Sequence, residues 1–177
     1  AQRNLNLPLI IGHEFCGIIE EIGSGVKHYK PGQRVSGEGH ITCGYCRNCR
    51  AGKRHLCHKT TGIGIHRSGA FAEYLVIPES NIWPVDNDLP SEIAAFLDPL
   101  GNAIHTSLSY EVAGEDVLIT GAGPIGLMSV VICNFVGARN VVITDVNDYR
   151  LNLARELGAT KTINVSKNTI NEYFDEL

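Results

Sequence analysis

Four cysteines lie close together in the stretch HITCGYCRNCRAGKRHLC, at residues 40–57. They follow the spacing Cys-x2-Cys-x2-Cys-x7-Cys, which lets a short loop bring their sulfur atoms to one point; they are Cys43, Cys46, Cys49 and Cys57. Zinc binds four thiolates at about 2.3 Å in a tetrahedral arrangement, and a site filled in this way leaves no position for a substrate. The spacing therefore predicts a structural zinc site. The alternative, reactive or disulfide-forming cysteines, is disfavoured because no secretory signal is visible.

Several other residues in or beside this loop leave alternatives open. His55 and His58 could also bind zinc, although the cysteine set is complete without them. A zinc ion with four thiolates carries a net negative charge. Nearby basic side chains either offset that charge or form an ordinary solvated face. These basic residues are Arg47, Arg50, Lys53, Arg54 and Lys59.

A second group of residues could hold a metal that takes part in a reaction. His13 and Glu14 follow an apolar strand and a glycine in LIIGHEFCG. An imidazole nitrogen and a carboxylate oxygen can bind one zinc ion, and a catalytic zinc ion typically has three protein ligands and an open position. Most adjacent His-Glu pairs are surface residues, so the pair alone leaves both interpretations open. Cys16 is expected to be a small buried thiol rather than a ligand.

Asp98 and His40 are further candidates. Pro99 disfavours a helical conformation at the residue before it, so LPSEIAAFLDPLGN is expected to place Asp98 at a helix junction. There it would be either a functional carboxylate or an ordinary cap or turn residue. His40 precedes the cysteine loop and would either reach a substrate or make a structural hydrogen bond.

The second half of the chain contains a pattern typical of dinucleotide binding. An apolar strand at 117–120 leads into GAGPIG, and a helix without charged residues is expected at 125–136. Gly121 would permit the tight turn, Gly123 would let the backbone approach a pyrophosphate, and Gly126 would let helix and strand pack closely. The pattern stands between a strand and a helix, and this context makes it specific.

The next strand, VVITD, ends at Asp145. A carboxylate there would bind the two hydroxyls of the adenine ribose and repel a 2′-phosphate, which favours NAD over NADP. Arg150 could lie against the adenine or ribose, or could be a surface residue of the following helix. That helix, in NDYRLNLARELG, has a capping asparagine and a terminal glycine. Cys133 lies in the preceding apolar helix and is expected in the core.

Composition excludes several classes of protein. The chain has 177 residues, a formal net charge of −4 and a hydrophobic fraction of 44%, which is typical of a globular protein. The chain has no excess of basic residues that would suggest nucleic acid as a partner. Its apolar runs are too short to span a membrane. The chain begins without methionine and stops within a helix-like pattern. It is therefore expected to be a fragment that lacks both ends.

In this order, the motifs resemble the zinc-dependent medium-chain alcohol dehydrogenase family. The likeness is carried by GHE, the cysteine loop, GAFAEYLVIP and the glycine pattern followed by aspartate. It implies an α/β protein with a partial GroES-like, β-rich catalytic domain at 1–98, including a zinc lobe at 40–59, and the first half of a Rossmann parallel sheet at 99–177. The active site would lie between the domains.

The resemblance also implies roles for the candidate residues. His13 and Glu14 would bind a catalytic zinc ion, and Asp98 would be a further ligand or, as we favour, a proton relay. His40 would face the substrate. Ile125, Asp145 and Arg150 would contact NAD. The family also places a zinc-ligating cysteine and relay residues before the first residue of this chain, so the catalytic site is expected to be incomplete here.

The closer likeness is to members that oxidise the 3-hydroxyl of L-threonine to 2-amino-3-oxobutanoate, and it rests on VSGEGHITCGYCRNCRAGKRHLC, LDPLGNAIHT and VVITDVNDYRLNLAR. This implies a cytoplasmic homotetramer acting on a small amino-acid alcohol. Oxidation of a polyol or secondary alcohol is the alternative within the family. A zinc-stabilised nucleotide-binding fragment without catalysis is the alternative from another class.

Overall fold

The computed structural model describes residues 7–169. The chain divides into two compact units, one ending at Asp98 and the other beginning at Pro99. The helix-like pattern at the C-terminus lies outside the described residues.

Short antiparallel strands build the first unit. The five strands are β1 (Gly17–Ile18), β2 (Arg34–Gly37), β3 (His40–Ile41), β4 (Thr61–Gly62) and β5 (Ile82–Pro84). β2 lies between β1 and β5, and β3 pairs with β4. Val35, Ile63 and Ile82 are buried, and the segment at residues 37–40 joins the two sheets.

Three α-helices lie in the loops and at the end of this unit. They are α1 (Arg47–Arg50) in the cysteine loop, α2 (Ser91–Ala95) and α3 (Leu97–Ser107). The break between α2 and α3 falls at Phe96, so Asp98 does lie near a helix junction, as predicted.

The expected role of Pro99 at that junction was wrong, because α3 continues through this residue. Pro99 stands in the first turn of α3, where the missing N–H of proline would have had no helical partner in any case. The first turn of α3 therefore fixes the Asp98 backbone.

A three-stranded parallel sheet forms the second unit. In chain order its elements are β6 (Asp116–Thr120), α4 (Pro124–Phe135), β7 (Asn140–Asp145), α5 (Asp148–Glu156) and β8 (Lys161–Asn164). The strand order is β6-β7-β8, with β7 in the centre. Asn147 caps α5, because its side-chain oxygen accepts the Arg150 N–H at 3.3 Å.

The core of this unit lies between the sheet and its helices. Val130 and Cys133 from α4 pack with Val141 and Ile143 from β7, and all are almost fully buried. The predicted core position of Cys133 is confirmed. Parallel strands joined by helices also confirm the predicted α/β class. Within residues 7–169, no helix is both long enough and apolar enough to cross a membrane.

Candidate metal and dinucleotide sites

The four clustered cysteines converge on one point. The Sγ–Sγ distances are 3.5 Å for Cys46–Cys49, 3.6 Å for Cys43–Cys57 and 4.0 Å for Cys43–Cys49. In a tetrahedron with Zn–S bonds of about 2.3 Å, neighbouring sulfur atoms are roughly 3.8 Å apart. The sulfur cage, defined as Cys43, Cys46, Cys49 and Cys57, therefore has the dimensions of a closed zinc site.

Backbone donors around the cage stabilise sulfur as thiolate. The Cys57 sulfur accepts N–H groups from Cys43 at 3.4 Å and Lys59 at 3.3 Å. The Cys43 N–H is the main reason why the pKa of Cys57 falls to about 6. The Cys49 N–H lowers the pKa of Cys46, whereas burial raises the pKa of Cys49 to about 11. A divalent cation at the centre would favour the thiolate form of all four.

The segment around the cage has no apolar core of its own. Between residues 42 and 59, Cys49 is the one buried residue. Lys59 packs over Tyr45, with its Nζ donating to the Tyr45 hydroxyl at 3.1 Å and lying 5.3 Å from the ring centre. Surface contacts of this kind contribute little to stability. The cage is therefore the feature that can hold this lobe together.

A second cluster forms in the first unit around Asp98. The His13 Nε2 atom lies 3.8 Å from Asp98 Oδ2, and the Asp98 side chain is only 3% exposed. A nitrogen ligand and an oxygen ligand of one tetrahedral zinc ion are separated by roughly 3.4 Å. The pair is therefore within a few tenths of an ångström of a shared-ion geometry. Burial raises the pKa of Asp98, and the charge of Glu38 adds to this effect.

Glu38 is a member of this cluster that the sequence analysis did not single out. Carboxylate oxygens of Glu38 and Asp98 and a ring nitrogen of His40 all lie within 4.8 Å of one another. The sequence signal that could have identified Glu38 is its position two residues before His40, in GEGH. We call His13, Glu38, His40 and Asp98 the Asp98 cluster.

Glu14 is not a member of the described group of Glu38, His40 and Asp98, whose ligand-type atoms lie within 4.8 Å of one another. Its side chain is exposed, and its charge makes a small contribution to the raised pKa of Asp98. Cys16 is half-buried and lines a 680 Å³ cavity in the first unit. The roles predicted for His13, Glu14, Asp98 and His40 remain predictions.

The glycine turn of the second unit has the geometry that its sequence predicts. Gly121 has φ +98°, a conformation that favours glycine. A Cβ on Gly126 would lie 1.9 Å from the Gly121 carbonyl oxygen, whereas a Cβ on Gly123 would meet nothing within 4 Å. Gly126 thus permits close packing, and Gly123 leaves an open approach to the first turn of α4.

Asp145 lies beside this turn, at the end of β7. Its Oδ2 accepts the Ala122 N–H at 2.7 Å, and its Oδ1 accepts the N–H groups of Val146 and Asn147 at 2.8 and 2.9 Å. The Asn147 N–H is the main cause of the lowered pKa of Asp145. Asp145 is thus held as a carboxylate next to the turn.

Ile125 and Arg150 also lie in this unit. Ile125 is partly exposed and lines a 620 Å³ cavity that adjoins the glycine turn. Arg150 is exposed near the start of α5 and contributes to the lowered pKa of Asp145. Dinucleotide contacts of both residues remain predictions.

Two family models match the chain. One describes an alcohol dehydrogenase GroES-like domain and matches residues 1–87, and the other describes a zinc-binding dehydrogenase and matches residues 124–177. The chain belongs to the zinc-dependent alcohol dehydrogenase family. These matches also confirm the predicted GroES-like and Rossmann-like parts of the fold.

The L-threonine 3-dehydrogenases of Marinomonas sp. (strain MWYL1) and Chromobacterium violaceum are similar relatives of this zinc-dependent alcohol dehydrogenase chain. They are 59% and 58% identical to it over 177 residues, which is 100% of this chain and 52% of each relative. The chain therefore spans about half the length of the curated relatives it matches.

Solved dehydrogenase structures are similar as well. Galactitol-1-phosphate dehydrogenase from Escherichia coli has a TM-score of 0.90 and 34% identity, over 97% of this chain and 50% of that one. A Sinorhizobium meliloti 1021 protein bound to NADP has a TM-score of 0.88 and 37% identity, over 96% of this chain and 50% of its own. The turnover test described below therefore includes both NAD and NADP.

Two glycine substitutions should separate packing from cofactor approach in the full-length dehydrogenase. Gly126→Ala places a methyl group 1.9 Å from the Gly121 oxygen, so we expect a loss of about 1–3 kcal/mol in the free energy of unfolding. Gly123→Ala meets no protein atom within 4 Å and should change stability by less than about 0.5 kcal/mol. It should nevertheless weaken NAD binding, because its methyl group occupies the approach to the first turn of α4.

Denaturant unfolding and NAD titration check both variants. If the Gly126→Ala variant were as stable as the wild type, the packing role of this glycine would be contradicted. If the Gly123→Ala variant bound NAD as tightly as the wild type, the expected position of the pyrophosphate at the first turn of α4 would be contradicted.

Proposed function

We propose that the complete protein is a zinc- and NAD-dependent dehydrogenase that oxidises the 3-hydroxyl of L-threonine to 2-amino-3-oxobutanoate. The observation that carries this proposal is the Asp98 cluster, a group of two histidines and two carboxylates that shares no residue with the sulfur cage. A closed cage leaves no position for a substrate, so a catalytic ion needs a second ligand set. Identity of 59% with an L-threonine 3-dehydrogenase supports the choice of substrate.

His13 and Glu14 are proposed as ligands of the catalytic ion, together with residues outside this chain. A zinc ion bound there would supply a Lewis acid that makes an alcohol more acidic. Asp98 is proposed as the carboxylate that passes the alcohol proton onward. A role as a ligand is the alternative, and its 3.8 Å distance from His13 is compatible with both. His40 is proposed to face the substrate and to contribute to specificity.

The second unit is proposed to bind NAD, which would supply the hydride acceptor. Gly121, Gly123 and Gly126 would shape the pyrophosphate site at the start of α4. The Asp145 carboxylate would accept hydrogen bonds from the two ribose hydroxyls and repel a 2′-phosphate. Ile125 and Arg150 would contact the dinucleotide beside them.

A polyol is the second candidate substrate. It is favoured by the structural likeness to galactitol-1-phosphate dehydrogenase, with a TM-score of 0.90. The zinc and dinucleotide residues do not separate the two candidates, because both reactions need the same metal and cofactor. The segments GEGH and DPLGN are where the substrate alcohols would be distinguished.

Steady-state turnover of the full-length enzyme tests the proposal. NADH formation is measured with L-threonine, butane-2,3-diol, sorbitol and galactitol 1-phosphate, with and without a metal chelator, and NADP replaces NAD in a parallel series. We expect the highest kcat/KM with L-threonine and NAD, and loss of activity with the chelator. A higher kcat/KM with any of the other alcohols would displace threonine as the substrate.

A cytoplasmic location and a homotetrameric assembly are also proposed, on the family resemblance alone. A small amino-acid alcohol is the proposed partner, with no nucleic acid or membrane involved. Light scattering of the full-length protein tests the tetramer.

A further inference from the structure

The segment between β2 and β3 is held rigidly from one side by Asn81. This buried residue donates from Nδ2 to the backbone oxygens of Glu38 at 2.9 Å and His40 at 3.0 Å. In return, the Glu38 N–H donates to the Asn81 backbone oxygen at 2.8 Å. A Cβ on Gly37 would lie 2.7 Å from that oxygen, so only glycine fits there. The backbone on either side of Glu38 is therefore fixed.

On this fixed backbone, the Glu38 carboxylate turns back onto His40. Its Oε1 atom accepts the His40 backbone N–H at 2.7 Å and lies 2.6 Å from the His40 ring atom Nδ1. An ionised carboxylate has no hydrogen to donate, so Nδ1 must carry the ring hydrogen. In the neutral ring, the other nitrogen, Nε2, is then left as a hydrogen-bond acceptor.

This contact contributes little to the stability of the fold. The side chains of His40 and Glu38 are 55% and 46% exposed, so neither fills the core. Exposed pairs of this kind contribute about 0–1 kcal/mol to stability. The contact lies within the Asp98 cluster, however, because Glu38, His40 and Asp98 offer ligand-type atoms within 4.8 Å of one another.

We propose that Glu38 is a positioning residue that fixes the ring of His40 in the Nδ1–H tautomer, with Nε2 as the acceptor offered to the substrate. The consequence for turnover rests on the proposed function of the Asp98 cluster. The tautomer itself does not depend on that function, because it follows from the Glu38–His40 contact. Glu38 acts through His40 and is not assigned a contact with the substrate.

The test uses full-length enzyme labelled with ¹⁵N in the histidine rings. The His40 signals are assigned with a His40→Asn variant, and the tautomer is read from the ring nitrogen shifts. We expect Nδ1–H in the wild type and a loss of this preference in Glu38→Gln, because an amide can also donate to Nδ1. We expect kcat with L-threonine to fall about 10- to 100-fold, as for other partners that orient a functional histidine, with an unchanged KM for NAD.

Glu79→Gln is the matched control. The Glu79 Oε1 atom also accepts two backbone N–H groups, from Lys27 at 3.0 Å and His28 at 2.7 Å. This variant should keep the wild-type kcat and the His40 tautomer. Zinc content and thermal unfolding verify the fold of each variant, and Glu38→Asp, which keeps the carboxylate, should retain more activity than Glu38→Gln.

An Nε2–H tautomer in the wild type would overturn the inference, and so would a Glu38→Gln variant with unchanged tautomer and kcat. Failure of the proposed function gives a different result. In that case the wild type would not oxidise L-threonine, while the His40 tautomer would still change from wild type to Glu38→Gln.

Discussion

His13→Ala in the full-length enzyme is expected to lower kcat for L-threonine about 1,000-fold or more. A Lewis acid supplies several kcal/mol of transition-state stabilisation, and each 1.4 kcal/mol or so corresponds to about tenfold in rate. The His13 side chain is 42% exposed, so its removal leaves no cavity in the core. The free energy of unfolding should therefore change little, and the effect should appear in steady-state kinetics.

His28→Ala is the matched control for this prediction. His28 is an exposed histidine of the same unit, and its described contact is a backbone N–H that donates to Glu79. Truncating its side chain leaves that hydrogen bond in place, so kcat should match the wild type. Less than a tenfold loss of kcat in His13→Ala would contradict the role proposed for His13.

Cys57→Ser is expected to remove the zinc ion of the sulfur cage and to unfold the lobe around it. Zinc binding to a closed thiolate site contributes on the order of 10 kcal/mol to the folding of small zinc domains. Between residues 42 and 59, Cys49 is the one buried residue, so the lobe has no apolar core to replace this contribution. Fast hydrogen exchange in the lobe and a lowered melting temperature are the expected observations.

Cys16→Ser serves as the control for the cage. Cys16 is half-buried and is not a member of the cysteine group whose sulfur atoms converge. Its replacement should leave zinc content and exchange in the lobe unchanged. Slow, wild-type exchange of residues 42–59 in Cys57→Ser would contradict a bracing role for the cage.

Local patterns in the sequence predicted much of these sites. The cysteine loop and the glycine turn are each built by one short stretch of chain, so spacing alone limits where their atoms can lie. Gly126 illustrates this, because a Cβ there would lie 1.9 Å from the carbonyl oxygen of Gly121, only five residues earlier in the chain. Asp145 follows from the same logic, since neighbouring parallel strands end at the same edge of a sheet.

Contacts between distant residues could not be predicted in this way. The orientation of Glu38 depends on Asn81, 43 residues later in the chain, and its proximity to Asp98 depends on where α3 begins. The sequence pattern also suggested that Pro99 would end a helix. In fact the break falls at Phe96, and Pro99 is accommodated in the first turn of α3.

Zinc analysis of the full-length enzyme tests the central claim most directly, namely that one closed sulfur site braces the fold and a separate site at His13 serves the reaction. Zinc per chain is measured together with X-ray absorption at the zinc edge, for the wild type and His13→Ala. We predict two zinc ions per chain in the wild type, and one in His13→Ala, coordinated by sulfur alone. A single zinc ion in the wild type, or a zinc ion with mixed nitrogen and sulfur ligands remaining in His13→Ala, would contradict the account.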